Sequence, residues 1–175
     1  MPVPHGETAM MERSEFGWPA QDDAIIPGVR IDTEVAIARP AEKVFAYATA
    51  PILWHTWHPA TARVRDVPQR PLQAGETVVE TIRVGWREAD ACWTVLACEA
   101  PRLWVIATDS DDGSARIVYR VTPAGAGCTF HRTLDYRSKR WPWRALDGNV
   151  SAWMLDRQST RALDNLKRVL EAGPA

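Results

Sequence analysis

The sequence is poor in the residues and motifs that mark several protein classes. It has only three cysteines, Cys92, Cys98 and Cys128, and no C-x-x-C pair. This odd number predicts free thiols in a reducing compartment rather than a disulfide framework. Cys92 and Cys98 fall in predicted strands and have no helix N-terminus or histidine beside them, which is typical of small core residues.

An excess of charge and long apolar segments are lacking as well. The formal net charge is -1 at pH 7, which excludes a generally basic nucleic-acid-binding protein. No apolar run approaches the ~20 residues that a membrane-spanning helix needs. The first residues have neither the positive nor the apolar region of a secretory signal, so we expect a cytoplasmic protein.

Signatures of common catalytic sites are also missing. The sequence contains no G-x-S-x-G motif and no glycine-rich phosphate loop, so it predicts neither a nucleophilic serine nor a bound nucleotide. We expect no resident cofactor, and the sequence identifies no catalytic residue.

The chain has the length of one domain and an unusual number of tryptophans. Its 175 residues suffice for a substantial core. Residues 1–28 carry several prolines and glycines and no lasting periodicity, which predicts an N-terminal extension before a domain at 29–173. Nine tryptophans are more than such a core needs, so some are expected to line a pocket or a contact surface.

The hydrophobic pattern predicts an α+β fold. Residues 29–37 alternate as a half-buried strand, and two short helices follow, at 40–48 and 52–57. Further strands are predicted at 62–67, 76–84, 89–98, 103–108, 115–122 and 128–136, and a long helix at 149–171. Strands joined by short turns are antiparallel, and a sheet of about seven strands curls. The long helix is the element able to cover its concave face.

The long helix has an uneven apolar stripe. The stripe consists of Leu155, Ala162, Leu166, Val169 and Leu170, with Met154 and Gln158 near its less apolar N-terminal half. Where the stripe turns small or polar, a cavity can open between helix and sheet.

Three stretches resemble the START-like (SRPBCC) superfamily. Residues 35–49 resemble its first strand followed by Pro-Ala-Glu-x-Val-Phe, residues 52–59 its Trp-x-x-Trp-x-Pro motif, and residues 162–171 the end of its last helix. The likeness is to the polyketide cyclase/dehydratase and lipid-transport branch. It implies the helix-grip fold, in which a curved antiparallel sheet wraps around a long C-terminal helix and leaves a deep, mostly apolar pocket. It implies no catalytic residue, because the superfamily has none in common.

Arg132 is the most informative candidate residue. It shares the alternation of Phe130 and Leu134 in the last predicted strand. If that face points inward, the guanidinium enters the cavity and must be paired by a carboxylate, for which Glu80 is a candidate, or by a ligand. Alternatively, a bulge twists the strand and Arg132 lies at the rim in water, since arginine is almost never buried unpaired.

Two histidines have the spacing of metal ligands. His55 and His58 lie three residues apart on the second short helix. A third ligand would be needed, and His131, the remaining histidine of the domain, is expected to face water. We expect no metal site and interpret both histidines as exposed or pocket-rim residues.

Tyrosine and glutamine side chains complete the candidate site. Such groups in an apolar pocket orient a ligand, or polarise a carbonyl group as the cyclisation of a polyketide requires. The candidate ligand-binding residues are Trp57, Glu80, Tyr119, Phe130, Arg132, Leu134, Tyr136, Met154 and Gln158.

The segment from Arg137 to Arg144 combines basic residues with two tryptophans. It suits at most a transient membrane contact, and the commoner interpretation is a solvated connection whose tryptophans pack under the last helix. No second basic patch accompanies it, so nucleic acid is not an expected partner. A homodimer is compatible with the sequence.

Three functions stay open. The first is binding or transport of a hydrophobic small molecule or lipid in the cavity. The second is an enzyme, a polyketide cyclase/aromatase or dehydratase acting in the same cavity. The third is an interaction module like the chaperone regulators of the superfamily, which would show an exposed apolar patch and little cavity.

Overall fold

The structure, a computed structural model, describes residues 28–65, 67–84, 87–111, 113–139 and 150–173. Almost all of the expected N-terminal extension lies outside these residues, as does most of the basic segment from Arg137 to Arg144. The strands are β1 Val29–Ile37, β2 Thr61–Val64, β3 Thr77–Val84, β4 Arg87–Glu99, β5 Leu103–Asp109, β6 Gly113–Ala124 and β7 Gly127–Ser138. The helices are α1 Ala41–Ala48, α2 Trp54–Trp57, which follows a 3-10 turn at Pro51–Leu53, and α3 Val150–Ala172.

All seven strands form one antiparallel sheet in the order β1-β7-β6-β5-β4-β3-β2. Neighbours in sequence are neighbours in the sheet from β2 to β7, and short turns join the strands from β3 onward. The chain then pairs β7 with β1, so that Val29 lies opposite Tyr136 and Ile37 opposite Cys128. The predicted α+β fold is confirmed: a curved seven-stranded sheet, two short helices after β1 and a long C-terminal helix.

The largest differences from the predicted element bounds occur at β2, β6 and β7. β2 ends at Val64 rather than at residue 67, and its pairing with β3 shifts register between Thr61 and Arg63. β6 and β7 each extend up to two residues further at both ends than their alternation predicts. Backbone pairing between them continues to Gly113 and Ser138 at one end and to Ala124 and Gly127 at the other.

The helices pack their apolar sides into one core with the concave face of the sheet. In α1 the buried side chains include Val44, Phe45 and Ala48. In α3 they are Ala162, Leu163 and Leu166, together with the polar Ser159. None of the described helices is long and apolar enough to cross a membrane.

Arg39, in the connection between β1 and α1, holds the C-terminal end of α3. Its guanidinium donates hydrogen bonds to the carbonyl oxygens of Leu170 at 3.0 Å, Glu171 at 3.2 Å and Gly173 at 2.7 Å. The last carbonyl groups of a helix have no partner within the helix, and a cation there also meets the negative end of the helix dipole. This contact fixes the C-terminal end of α3 against the connection between β1 and α1.

The three cysteines carry free thiols, but their burial differs from expectation. Cys128 is buried and Cys98 is half-buried, whereas Cys92 is exposed. Cys92 was expected in the core and is not there, because it lies next to the inward-facing Trp93 and therefore points to the opposite face of β4.

Candidate cavity between the sheet and the last helix

A cavity of about 490 Å³ lies between the concave face of the sheet, α2 and α3. This volume is within the range of small-molecule pockets. Its wall is mostly apolar, and the apolar lining residues are Trp54, Trp57, Ala60, Ile82, Ala89, Ala91, Trp93, Ile106, Ala115, Ile117, Leu134, Met154 and Leu155. The helix does not fill this space although Met154 and Leu155 reach its wall, because the next turn of α3 presents Gln158 and Ser159 rather than large apolar side chains.

Arg132 faces the cavity from β7 and is only 2% exposed. Its Nη1 donates a hydrogen bond of 2.7 Å to the Ser159 hydroxyl on α3, and its Nη2 lies 3.5 Å from His58 Nε2. The strand therefore keeps its alternation, and the alternative placement of Arg132 at the rim in water is wrong.

Glu80 also faces the cavity, from β3, but it does not form a direct ion pair with Arg132. One carboxylate oxygen accepts a hydrogen bond from the Thr61 hydroxyl, and the other accepts one from Trp93 Nε1 at 2.8 Å. Burial raises the pKa of Glu80, and the hydrogen bonds and the positive charge of Arg132 oppose that rise. The expected pairing is thus replaced by an electrostatic interaction across the cavity.

His58, at the end of α2, has a neutral imidazole ring. Burial of the ring and the charge of Arg132 lower its pKa from 6.5 to about 3. Because Nε2 faces an arginine, which can only donate, Nε2 accepts and Nδ1 carries the hydrogen. Nδ1 is buried and has no hydrogen-bond partner among the described residues.

The other histidines point elsewhere. His55 is exposed on α2, and His131 lies on the face of β7 opposite to Arg132, near Asp32. Within the described part of the chain, no group of three or more His, Cys, Asp and Glu side chains is placed to hold a metal ion.

Tyr119 lies opposite Arg132 in the pairing of β6 with β7. Its ring stacks on Trp104 with centroids 5.4 Å apart and packs against Phe130 at 5.1 Å. Burial raises the pKa of the Tyr119 hydroxyl, and the charge of Arg132 and a hydrogen bond from it oppose that rise. The phenol therefore stays neutral and can donate or accept a hydrogen bond in the cavity.

Eight of the nine candidate residues line the cavity: Trp57, Glu80, Tyr119, Arg132, Leu134, Tyr136, Met154 and Gln158. Phe130 points to the same side of β7 but lies in the core behind Tyr119. Sequence reasoning missed Ser159 as a site residue. Its position four residues after Leu155 and seven before Leu166 places it on the apolar stripe, which is the signal that would have found it.

The chain matches a known protein family over the elements that line the cavity. The family described as polyketide cyclase / dehydrase and lipid transport matches residues 28–171. The chain belongs to this family. The match spans nearly all of the described residues, from the start of β1 almost to the end of α3, and so includes every strand and helix that lines the cavity.

Solved structures share the fold of this member of the polyketide cyclase / dehydrase and lipid transport family. A protein from Rhodobacter sphaeroides is 20% identical, with 87% of this chain and 100% of that chain covered and a TM-score of 0.63. A protein from Mesorhizobium loti is 16% identical, with 83% and 99% covered and a TM-score of 0.63. The di-domain ARO/CYC protein BexL is 15% identical, with 81% of this chain and 46% of that chain covered and a TM-score of 0.62. Comparison with curated proteins found no match.

Proposed function

We propose that this chain binds a hydrophobic small molecule or lipid in the cavity between the sheet and α3. The observation that carries the proposal is the cavity itself, about 490 Å³ of space with a mostly apolar wall. Protein interiors are normally packed to the density of organic crystals, so a space of this size is a specific feature of the fold. The polyketide cyclase / dehydrase and lipid transport family is the expected setting for such a site.

The composition of the wall favours an apolar ligand with few polar atoms. Each Å² of apolar ligand surface removed from water contributes roughly 25 cal/mol to binding before the costs of association. Polar side chains such as Arg132 and Tyr119 occupy only part of the wall and would orient the ligand.

Titration with N-phenyl-1-naphthylamine, a neutral probe that fluoresces in apolar surroundings, tests this proposal. We expect saturable binding to the full chain. Ala91 lines the cavity, whereas Cys92 points to the opposite face of β4. Ala91→Trp therefore adds a large side chain inside the cavity, and Cys92→Trp adds the same side chain outside it. We expect Ala91→Trp to weaken probe binding by about tenfold or more and Cys92→Trp to leave it unchanged. Absence of saturable binding, or equal binding by both variants, would refute a cavity site.

A second candidate function is cyclisation or dehydration of a polyketide-like substrate. Two convergent polar groups support it, because Arg132 and Tyr119 lie opposite each other in the sheet and both line the cavity. The guanidinium would stabilise an enolate oxygen, and the neutral phenol would donate a proton or a hydrogen bond. Incubation with a poly-β-ketone thioester should then give a cyclised or dehydrated product, and Tyr119→Phe should slow its formation at unchanged substrate binding. No product with the native chain would refute this function and leave the binding proposal intact.

The third function, an interaction module, has less support. It was expected to have little cavity, and the cavity of about 490 Å³ counts against it.

A further inference from the structure

We infer that the ligand carries a single carboxylate group and that Arg132 binds it. This inference rests on the proposed function, since it concerns the ligand of the same cavity. In this arrangement the apolar body of the ligand lies along the tryptophan and aliphatic wall, and the carboxylate lies at the Arg132 end.

Arg132 places a charged group in the interior of the protein. A guanidinium is charged at every pH at which proteins are folded, and a buried charge is expensive unless an opposite charge pairs with it. Arg132 is 2% exposed and forms no ion pair with a carboxylate of the described residues. Its close neighbours Ser159, His58 and Tyr119 are all neutral.

The cavity wall has an excess of hydrogen-bond donors. Arginine has five N–H groups and no acceptor, and Arg132 Nε has no acceptor among the described residues. Three more lining side chains hold a buried polar atom without a partner in the described part of the chain: Trp57 Nε1, His58 Nδ1 and Thr108 Oγ1. An ionised carboxylate supplies only acceptors and therefore complements this wall.

The single positive charge among the described lining residues favours a ligand with one negative charge. Arg132 is the one arginine or lysine among the described lining residues, and His58 is neutral. A carboxylate carries one negative charge and matches the planar guanidinium with two parallel hydrogen bonds. A phosphate monoester carries up to two negative charges, and the second would remain uncompensated in the cavity.

Glu80 does not occupy the place of this carboxylate. Both of its oxygens already accept hydrogen bonds, from Thr61 and Trp93. Burial raises its pKa and thus disfavours its charged form. The remaining carboxylate of the lining, Asp90, is half exposed and accepts a hydrogen bond from the Thr81 hydroxyl at 2.6 Å.

The test compares ligands that differ only at the polar end. Saturated carboxylates, primary alcohols and alkyl phosphates of equal chain length compete with N-phenyl-1-naphthylamine for the full chain below their micelle concentrations. We expect the carboxylate to displace the probe at about tenfold lower concentration than the alcohol or the phosphate, as one charge-assisted pair implies. Arg132→Met should abolish this preference, whereas Arg137→Met, whose exposed side chain lies on the opposite face of β7, should retain it.

The outcomes separate the two proposals. If no ligand and no probe binds, the proposed binding function fails. If probe and alcohol bind but the native chain does not prefer the carboxylate, the function stands and the inference about Arg132 is overturned. A preference for the phosphate would overturn the inference too, as would a carboxylate preference that survives in folded Arg132→Met. The comparison of ligands on the native chain decides the matter even if Arg132→Met does not fold.

Discussion

The Arg132 guanidinium on β7 donates a hydrogen bond of 2.7 Å to the Ser159 hydroxyl on α3. Both side chains are buried, so this bond joins β7 to α3 inside the protein. The two residues are 27 positions apart in the sequence. The position of α3 therefore supplies the hydrogen-bond acceptor for the charged group in the cavity.

Ser159→Ala should therefore destabilise the protein. The substitution leaves an N–H of a buried guanidinium without its acceptor, which costs about 1–3 kcal/mol. Thr160→Ala removes a hydroxyl from the exposed side of the same turn and should change the free energy of unfolding by less than about 0.5 kcal/mol. Urea denaturation of both variants measures the difference. Equal stability of the two would mean that the Arg132–Ser159 bond contributes nothing.

His58 should make the protein sensitive to acid. Its pKa is about 3 in the folded chain against 6.5 as the ordinary value, so the unfolded chain binds the proton more readily. The stability that the neutral ring contributes is complete above pH 6.5 and is lost as the pH falls toward 3. The loss amounts to at most about 1.4 kcal/mol per pH unit.

The variant His58→Gln removes this titration and keeps an acceptor for Arg132. Urea denaturation between pH 7 and pH 4.5 should show a smaller fall in stability for His58→Gln than for the native chain. His55→Gln, on the exposed side of α2, is the control and should follow the native chain. Parallel curves for the native chain and His58→Gln would show that the buried ring does not titrate in this way.

Loss of Arg39 should loosen the end of α3. Arg39→Ala removes three hydrogen bonds to the carbonyl groups of Leu170, Glu171 and Gly173. We expect a loss of about 1–3 kcal/mol and faster amide hydrogen exchange in the last turns of α3. The exposed Arg102 side chain pairs with Glu99, so Arg102→Ala should change stability by less than about 1 kcal/mol. Unchanged exchange in α3 would contradict the proposed anchoring.

Trp104 should tolerate substitution less well than Trp153. Trp104 is fully buried, and its Nε1 donates a hydrogen bond of 3.0 Å to the Leu72 carbonyl. Trp104→Phe leaves a void and an unpaired carbonyl, with an expected cost of about 1–4 kcal/mol. Trp153 is 60% exposed, so Trp153→Phe should be nearly neutral. Thermal unfolding of both variants tests this, and a similar melting temperature would refute it.

The amino-acid sequence by itself determined the fold class and indicated eight of the 27 residues that line the cavity. Period-two alternation is a local property, so it located β1 and β7 and placed Arg132, Leu134 and Tyr136 on one face. The short turns implied antiparallel neighbours, and the single long amphipathic helix had one face to cover. These inferences needed no knowledge of distant contacts.

Only the tertiary structure decided which side chains meet. In the sheet order, β3 and β7 are four strand spacings apart, roughly 19 Å in a flat sheet at ~4.8 Å per strand. Curling of the sheet brings Glu80 close enough for the charge of Arg132 to affect the pKa of its carboxyl group. The two carboxylate oxygens nevertheless accept hydrogen bonds from Thr61 and Trp93. Arg132 donates a hydrogen bond to Ser159 on α3, and the ring of His58 lies at the cavity. Neither contact follows from a local pattern, because the curvature of the sheet and the position of the helix are set by packing of the whole core.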